Sequence, residues 1–170
     1  MAYLIGPALS PSAPPSRPKL ACRTTLWLSP NPKHHHRIQP TMGGPVKHIN
    51  SPHELKALLE STQYVIADFY ADWCPPCKAI APKYEELATQ HTIPEYLAFA
   101  KINVDRVPAL AQEHGITSMP SFTFFKDAKR VKVNGSLKIE GADYMRLREA
   151  AAKVGKLAQE KADAAEDLKR

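Results

Sequence analysis

The sequence predicts an α/β protein, a central mixed sheet of four to five strands flanked by four helices. Three observations carry this. Apolar runs rich in β-branched and aromatic residues alternate with stretches of helical spacing, which implies parallel strands joined by helical crossovers. Asn134-Gly135 lies between two short apolar segments and suits a type I′ hairpin, so the chain turns antiparallel near its end. Between a buried strand and a helix stands a Cys-x-x-Cys, Cys74 to Cys77.

Taken in order, Val46-Lys47-His48-Ile49 reads as a short edge strand. Ser51-Pro52-His53-Glu54 has the composition of a capping box with proline at the first helical position, and the helix continues through Leu55, Leu58 and Leu59 to about Ser61. The run Tyr64 to Tyr70 is apolar apart from Asp68 and predicts a buried strand. The next helix reaches Gln90 and carries Ile80, Tyr84, Leu87 and Ala88 on one face, with Pro82 expected to kink it. Leu97 to Val104 is a strand, Val107 to His114 a short helix stopped by Gly115, and Ser121 to Phe125 a strand. Val131 to Val133 and Leu137 to Ile139 are expected to pair around Asn134-Gly135. From Asp143 a last helix buries Leu147, Ala151, Val154 and Ala158, and beyond Gln159 the pattern gives way to a frayed, solvated end.

A chain of 170 residues suits one domain with extensions. Residues 1–42 form a basic extension rich in proline and serine, expected to be disordered; residues 43–158 form the domain; residues 159–170 form a charged tail. The extension reads as a transit peptide, a plain disordered segment, or an unused upstream start with Met42 as the working initiator. His34-His35-His36 within it could touch a metal, but reads first as a solvated basic run, since no cysteine or second histidine cluster lies nearby. The formal net charge of +6 sits in residues 1–53, which hold six basic residues and no acidic one, so the remainder is balanced. A basic balance confined to the leader is weak support for nucleic-acid binding, and none is expected. No apolar run approaches membrane-spanning length, so no membrane partner is expected. Three cysteines, Cys22 far from the other two, cannot staple a small secreted fold and suit a reducing compartment, the cytoplasm, or the mitochondrion if residues 1–42 are a transit peptide.

In isolation, Cys-x-x-Cys serves zinc or redox chemistry equally well. Zinc would want a second ligand pair, and the sequence has none. Placed between strand and helix, Cys74 falls at the N-cap and Cys77 in the first turn, neighbours on one face. The unpaired N–H groups of that turn favour the thiolate, which is the reactive species. The site reads as a reversible dithiol/disulfide that exchanges with other disulfides.

Five segments together resemble the thioredoxin family over about Val46 to Leu157: Asp68-Phe69-Tyr70-Ala71-Asp72-Trp73-Cys74-Pro75-Pro76-Cys77-Lys78, Ala81-Pro82, Lys101-Ile102-Asn103-Val104-Asp105, Gly115 to Phe122, and Gly141-Ala142-Asp143. The resemblance implies a thioredoxin fold and the following roles. Cys74 is the nucleophile and Cys77 the resolving thiol. Asp68 is the buried carboxylate beneath the pair and Lys101 the lysine beside it. Pro120 is a cis-proline facing the cysteines. Trp73 and Met119 flank the substrate groove, with Gly141 on its other side, and Pro75, Pro76 and Lys78 complete the support of the site. It implies no cofactor beyond the Cys74–Cys77 disulfide, no metal, a monomer, and as partners a flavin- and NADPH-dependent thioredoxin reductase and disulfide-containing target proteins. A buried Asp68 would favour its neutral form and could take a proton from Cys77, or it could be a structural partner of Lys101.

The sequence departs from the family pattern at Pro75, which stands where glycine is common and, with Pro76 behind it, is expected to strain the turn. The hairpin between Phe125 and Gly141 is longer than usual, and Asp127-Ala128-Lys129 lacks a turn glycine. The long hairpin and charged tail are similar to fungal members. The expected activity is general protein-disulfide reduction. The alternatives are an oxidase or isomerase of the same fold, and a non-catalytic binding module.

Overall fold

The computed structural model describes residues 45–170. The extension 1–42, Cys22, the histidine run and Met42 lie outside them. The elements are β1 (Val46–Ile49), α1 (Pro52–Ser61), β2 (Tyr64–Tyr70), α2 (Pro75–His91), β3 (Leu97–Asn103), α3 (Pro108–Glu113), β4 (Ser121–Lys126), β5 (Lys129–Arg130), β6 (Lys138–Glu140) and α4 (Tyr144–Asp167). Among the described residues they build one six-stranded sheet in the order β1-β3-β2-β4-β5, with β6 also on β4. β1, β3 and β2 are parallel; β4 runs antiparallel to β2 and to both β5 and β6. Five lanes result, because β5 and β6 share the outer edge of β4.

Strand alternation divides the core. Tyr64 and Ile66 of β2 face Ile80, Tyr84 and Leu87 of α2 and Leu147, Ala151 and Val154 of α4. Val65, Ala67 and Phe69 face Leu55 of α1 and Leu110 of α3. Both faces of β2 are therefore covered, and an Asp at position 68 has no route to water along its strand.

Four local expectations meet a different outcome. Ser51 caps α1 by accepting from Glu54 N at 3.2 Å, but Glu54 returns its carboxylate to Asn50 N at 2.9 Å rather than to the cap residue. Residues 131–133 are not a strand. Asn134 and Gly135 both take positive φ, as a type I′ turn requires, yet only an isolated Val133–Ser136 bridge closes around them. The flanking segments β5 and β6 pair with β4 instead, since that edge offers a longer ladder and buries Val133 and Ile139 against the core. A second tight turn precedes β5, with Asp127 at φ 49° and Ala128 at φ 61° in place of the missing glycine. Last, α4 does not fray at Gln159 but runs to Asp167, solvated as expected. The Ala-, Lys- and Glu-rich stretch lacks any breaker and has high helix propensity.

Candidate active site

The end of β2 delivers the chain to the cysteines. After Tyr70, residues Ala71 to Trp73 turn, and Cys74 takes the N-cap of α2 in an extended conformation. Its Sγ accepts from Cys77 N at 3.3 Å. Cys74 and Cys77 are joined in a disulfide with their Cα atoms 5.3 Å apart. Pro75 and Pro76 start the helix and do not break it. They occupy first-turn positions whose N–H groups would have no intrahelical acceptor in any case. Pro82 lies within α2, which continues through it.

Both cysteines are only 3% exposed, packed with Ala71, Tyr70, Val104 and Met119. Pro75, Pro76 and Lys78 are exposed around them. Trp73 is 65% exposed, a large apolar side chain held at the surface by an indole N–H donated to Asp105 Oδ2 at 2.9 Å. Across the pair, Met119–Pro120 is a cis peptide. The Pro120 carbonyl accepts from Gly141 N at 2.8 Å, so β4 and β6 fix the far wall together. Gly141 has φ +81°, a left-handed conformation that glycine adopts without cost. Tertiary folding thus brings Trp73, Cys74, Cys77, Met119, Pro120 and Gly141 to one end of the sheet.

Asp68 is 1% exposed, and its Oδ1 has no hydrogen-bond partner among the described residues. Burial pushes its pKa up to about 7, against the opposing pull of the Lys101 charge. Lys101 faces Asp68 directly in the β2–β3 register. Its ammonium, however, pairs with Glu85 Oε1 at 3.7 Å and lies 4.9 Å from the Tyr70 ring centroid. A small cavity of about 110 Å³, lined by Tyr70, Ala71, Asp72, Cys77, Lys78, Ala81 and Lys101, opens beside the second cysteine. Tyr84, fully buried on α2, sends its hydroxyl to the carbonyls of Ile66 and Ala100 at 2.7 and 2.8 Å. Burial first, and then the nearby Asp68 charge, raise its pKa well above the ordinary tyrosine value.

Three contributors carried no role in the sequence reading: Glu85, Asn103 and Asp105. The available signal was a polar Asn closing an otherwise buried strand and followed two residues later by Asp. For Glu85 no local signal exists, because it sits on the exposed face of α2.

The thioredoxin family model matches residues 46–146. A thioredoxin of Neurospora crassa is 60% identical over 124 residues, covering 73% of this chain and 98% of its own length. A thioredoxin-like protein of Fusarium culmorum is also 60% identical, over 116 residues, 68% of this chain and 96% of its own. Among solved structures, a Malassezia sympodialis thioredoxin superposes with a TM-score of 0.57 at 34% identity, over 72% of this chain and 99% of that one. A Plasmodium falciparum thioredoxin gives 0.57 at 34% identity, over 63% and 97%. With the cysteine pair joined at the head of α2, the chain belongs to the thioredoxin family and is a protein dithiol–disulfide oxidoreductase of fungal type.

Proposed function

We propose that reduction of target disulfides proceeds through Cys74 as nucleophile and Cys77 as resolving thiol, with Asp68 as the proton acceptor. The observation that carries this reading is the placement of Cys74 at the N-cap of α2, where its sulfur already accepts an N–H. The same donor and the helix N-terminus stabilise a thiolate in the reduced protein. That thiolate attacks one sulfur of the target disulfide, forming a mixed disulfide and expelling the other sulfur as a thiolate. Cys77 then gives up its proton and attacks Cys74 Sγ. The target leaves as a dithiol, and the protein keeps the Cys74–Cys77 disulfide, having passed on two electrons.

Asp68 suits the proton step because burial holds its pKa near neutrality, where it can both accept and return a proton. The cavity lined by Cys77 and Lys101 opens next to the resolving thiol. Trp73, Met119, Pro120 and Gly141 form the groove that receives the target strand, with Pro75, Pro76, Lys78 and Lys101 supporting the site. The catalytic unit is residues 43–158, which hold the whole site. Residues 1–42 are an extension outside it, and residues 159–170 a tail. The domain works with no bound cofactor. A flavin- and NADPH-dependent thioredoxin reductase returns the dithiol, making the chain an electron carrier in a reducing compartment, the cytoplasm.

The test is trapping. Cys77→Ser, reduced and offered insulin or other disulfide proteins, accumulates a mixed disulfide through Cys74, visible on non-reducing gels and located by mass spectrometry. Cys74→Ser forms none and has no reductase activity. Equal trapping by the two variants overturns the assignment.

A further inference from the structure

Asn103 closes β3 opposite Tyr70 and is 4% exposed. Its side chain is used at both ends. The amide Nδ2 donates to Asp72 Oδ2 at 3.0 Å, and Oδ1 accepts from Asp105 N at 2.9 Å. Asp105 in turn takes the Trp73 indole N–H at 2.9 Å. The Asn103 carbonyl also accepts from Val107 N and Arg106 N at 3.0 and 3.2 Å, which fixes the loop leading to α3. Asp72 and Trp73, the two residues before the nucleophile, are thus tied to one buried amide 30 residues further along the chain. Arg106 reaches Asp72 as well, at 3.5 Å, but both partners are exposed, and such a pair adds little.

A buried amide with both ends satisfied is costly to disturb and rigid while intact. Trp73 has no such enclosure. At 65% exposure its indole is held mainly by the single bond to Asp105. Its orientation therefore depends on where Asp105 stands, and Asn103 sets that position.

We infer that Asn103 is a positioning residue for target recognition, holding the indole wall of the groove and the segment before Cys74 through Asp105 and Asp72. It touches neither target nor disulfide. Its effect is on affinity for protein targets, which contact the indole, more than on the exchange step. The inference rests on the reading of Trp73 as a wall of the groove.

The experiment uses the full chain with Trp27→Phe, so that Trp73 is the one tryptophan, labelled with ¹⁵N at the indole. Insulin reduction is followed with dithiothreitol as reductant. Asn103→Ala and Asp105→Ala each raise KM roughly five- to tenfold, the equivalent of one lost hydrogen bond of ordinary strength, while kcat falls less than about twofold. The double variant is no worse than either single one, because both act along one chain of bonds. In each, the Trp73 indole N–H resonance moves and exchanges faster with water. Asn103→Ser keeps a neutral oxygen that can accept from Asp105 N and adds no charge beside Asp72, so its indole resonance stays close to the wild-type position. It also covers the case in which the alanine variant does not fold. Additive KM effects, an unmoved indole in Asn103→Ala, or an indole in Asn103→Ser displaced as far as in Asp105→Ala overturns the inference. Trp73→Ala separates the two readings. A raised KM there with a wild-type KM in Asn103→Ala removes the role of Asn103 alone, whereas a wild-type KM in Trp73→Ala removes the groove reading and this inference with it.

Discussion

Asp68 and Lys101 stand directly opposite one another across β2 and β3, but the Lys101 ammonium makes its salt bridge with Glu85 on α2. Asp68 is left buried, with one carboxylate oxygen lacking a hydrogen-bond partner among the described residues. The cost of ionising it is consequently only partly offset by the lysine, and its pKa rises from 3.8 to about 7.

Asp68→Asn should make stability less dependent on pH. With the folded-state pKa above the unfolded one, the unfolded chain holds fewer protons between about pH 4 and 7. Stability due to this group is full below about pH 4 and is lost as pH rises through 7. A shift from 3.8 to about 7 corresponds to a difference on the order of 4 kcal/mol above pH 8, in favour of the variant. Urea unfolding of the oxidised proteins from pH 4 to 9 measures it, and parallel curves would refute the burial argument. In single-turnover kinetics the variant should also resolve mixed disulfides more slowly, with no inflection near pH 7.

Gly155 lies buried in α4 against the end of α2. A Cβ there would come within 2.9 Å of His91 Nδ1 and 3.3 Å of its Cγ. Gly155→Ala should lower stability by about 1 kcal/mol, the clash outweighing the helix-propensity gain of about 1 kcal/mol. In a His91→Ala background the same change should stabilise by about that amount. A stabilising Gly155→Ala in the wild-type background would show that the imidazole swings aside freely.

Ala128 holds φ 61° in the turn between β4 and β5. A left-handed conformation costs an L-residue roughly 1–2 kcal/mol, and glycine returns part of that through its greater freedom when unfolded. Ala128→Gly should therefore stabilise by about 0.5–1 kcal/mol. Chemical denaturation reads this as a higher midpoint at constant slope; a lower midpoint contradicts it.

The Tyr84 hydroxyl, with a single proton, lies within 2.8 Å of two carbonyls on adjacent strands, Ile66 and Ala100. Tyr84→Phe should cost about 1–2 kcal/mol, since it removes a buried donor and keeps the ring stacked near Phe122. The loss appears as a lower urea midpoint. An unchanged midpoint would mean that the β2–β3 ladder satisfies both carbonyls by itself.

The sequence by itself determined whatever depends on short-range periodicity and local chemistry. The apolar run 64–70, the serine and aspartate caps at Ser51 and Asp143, the stop at Gly115 and the placement of Cys74 and Cys77 at a helix start are all set within a few residues. The five segments in order were enough to identify the family. Tertiary structure decided contacts between segments that only packing brings together. Residues 131–139 were expected to pair with each other, but the free edge of β4 captured both flanks, because a ladder on an existing sheet buries more apolar surface than an isolated hairpin. Lys101 was expected beside Asp68, and so it is in register. Its ammonium pairs instead with a carboxylate that keeps its water, Glu85, because a partner already solvated needs no further desolvation. Asn103 showed only as one polar residue at a strand end, since its two partners lie 31 residues before it and two after.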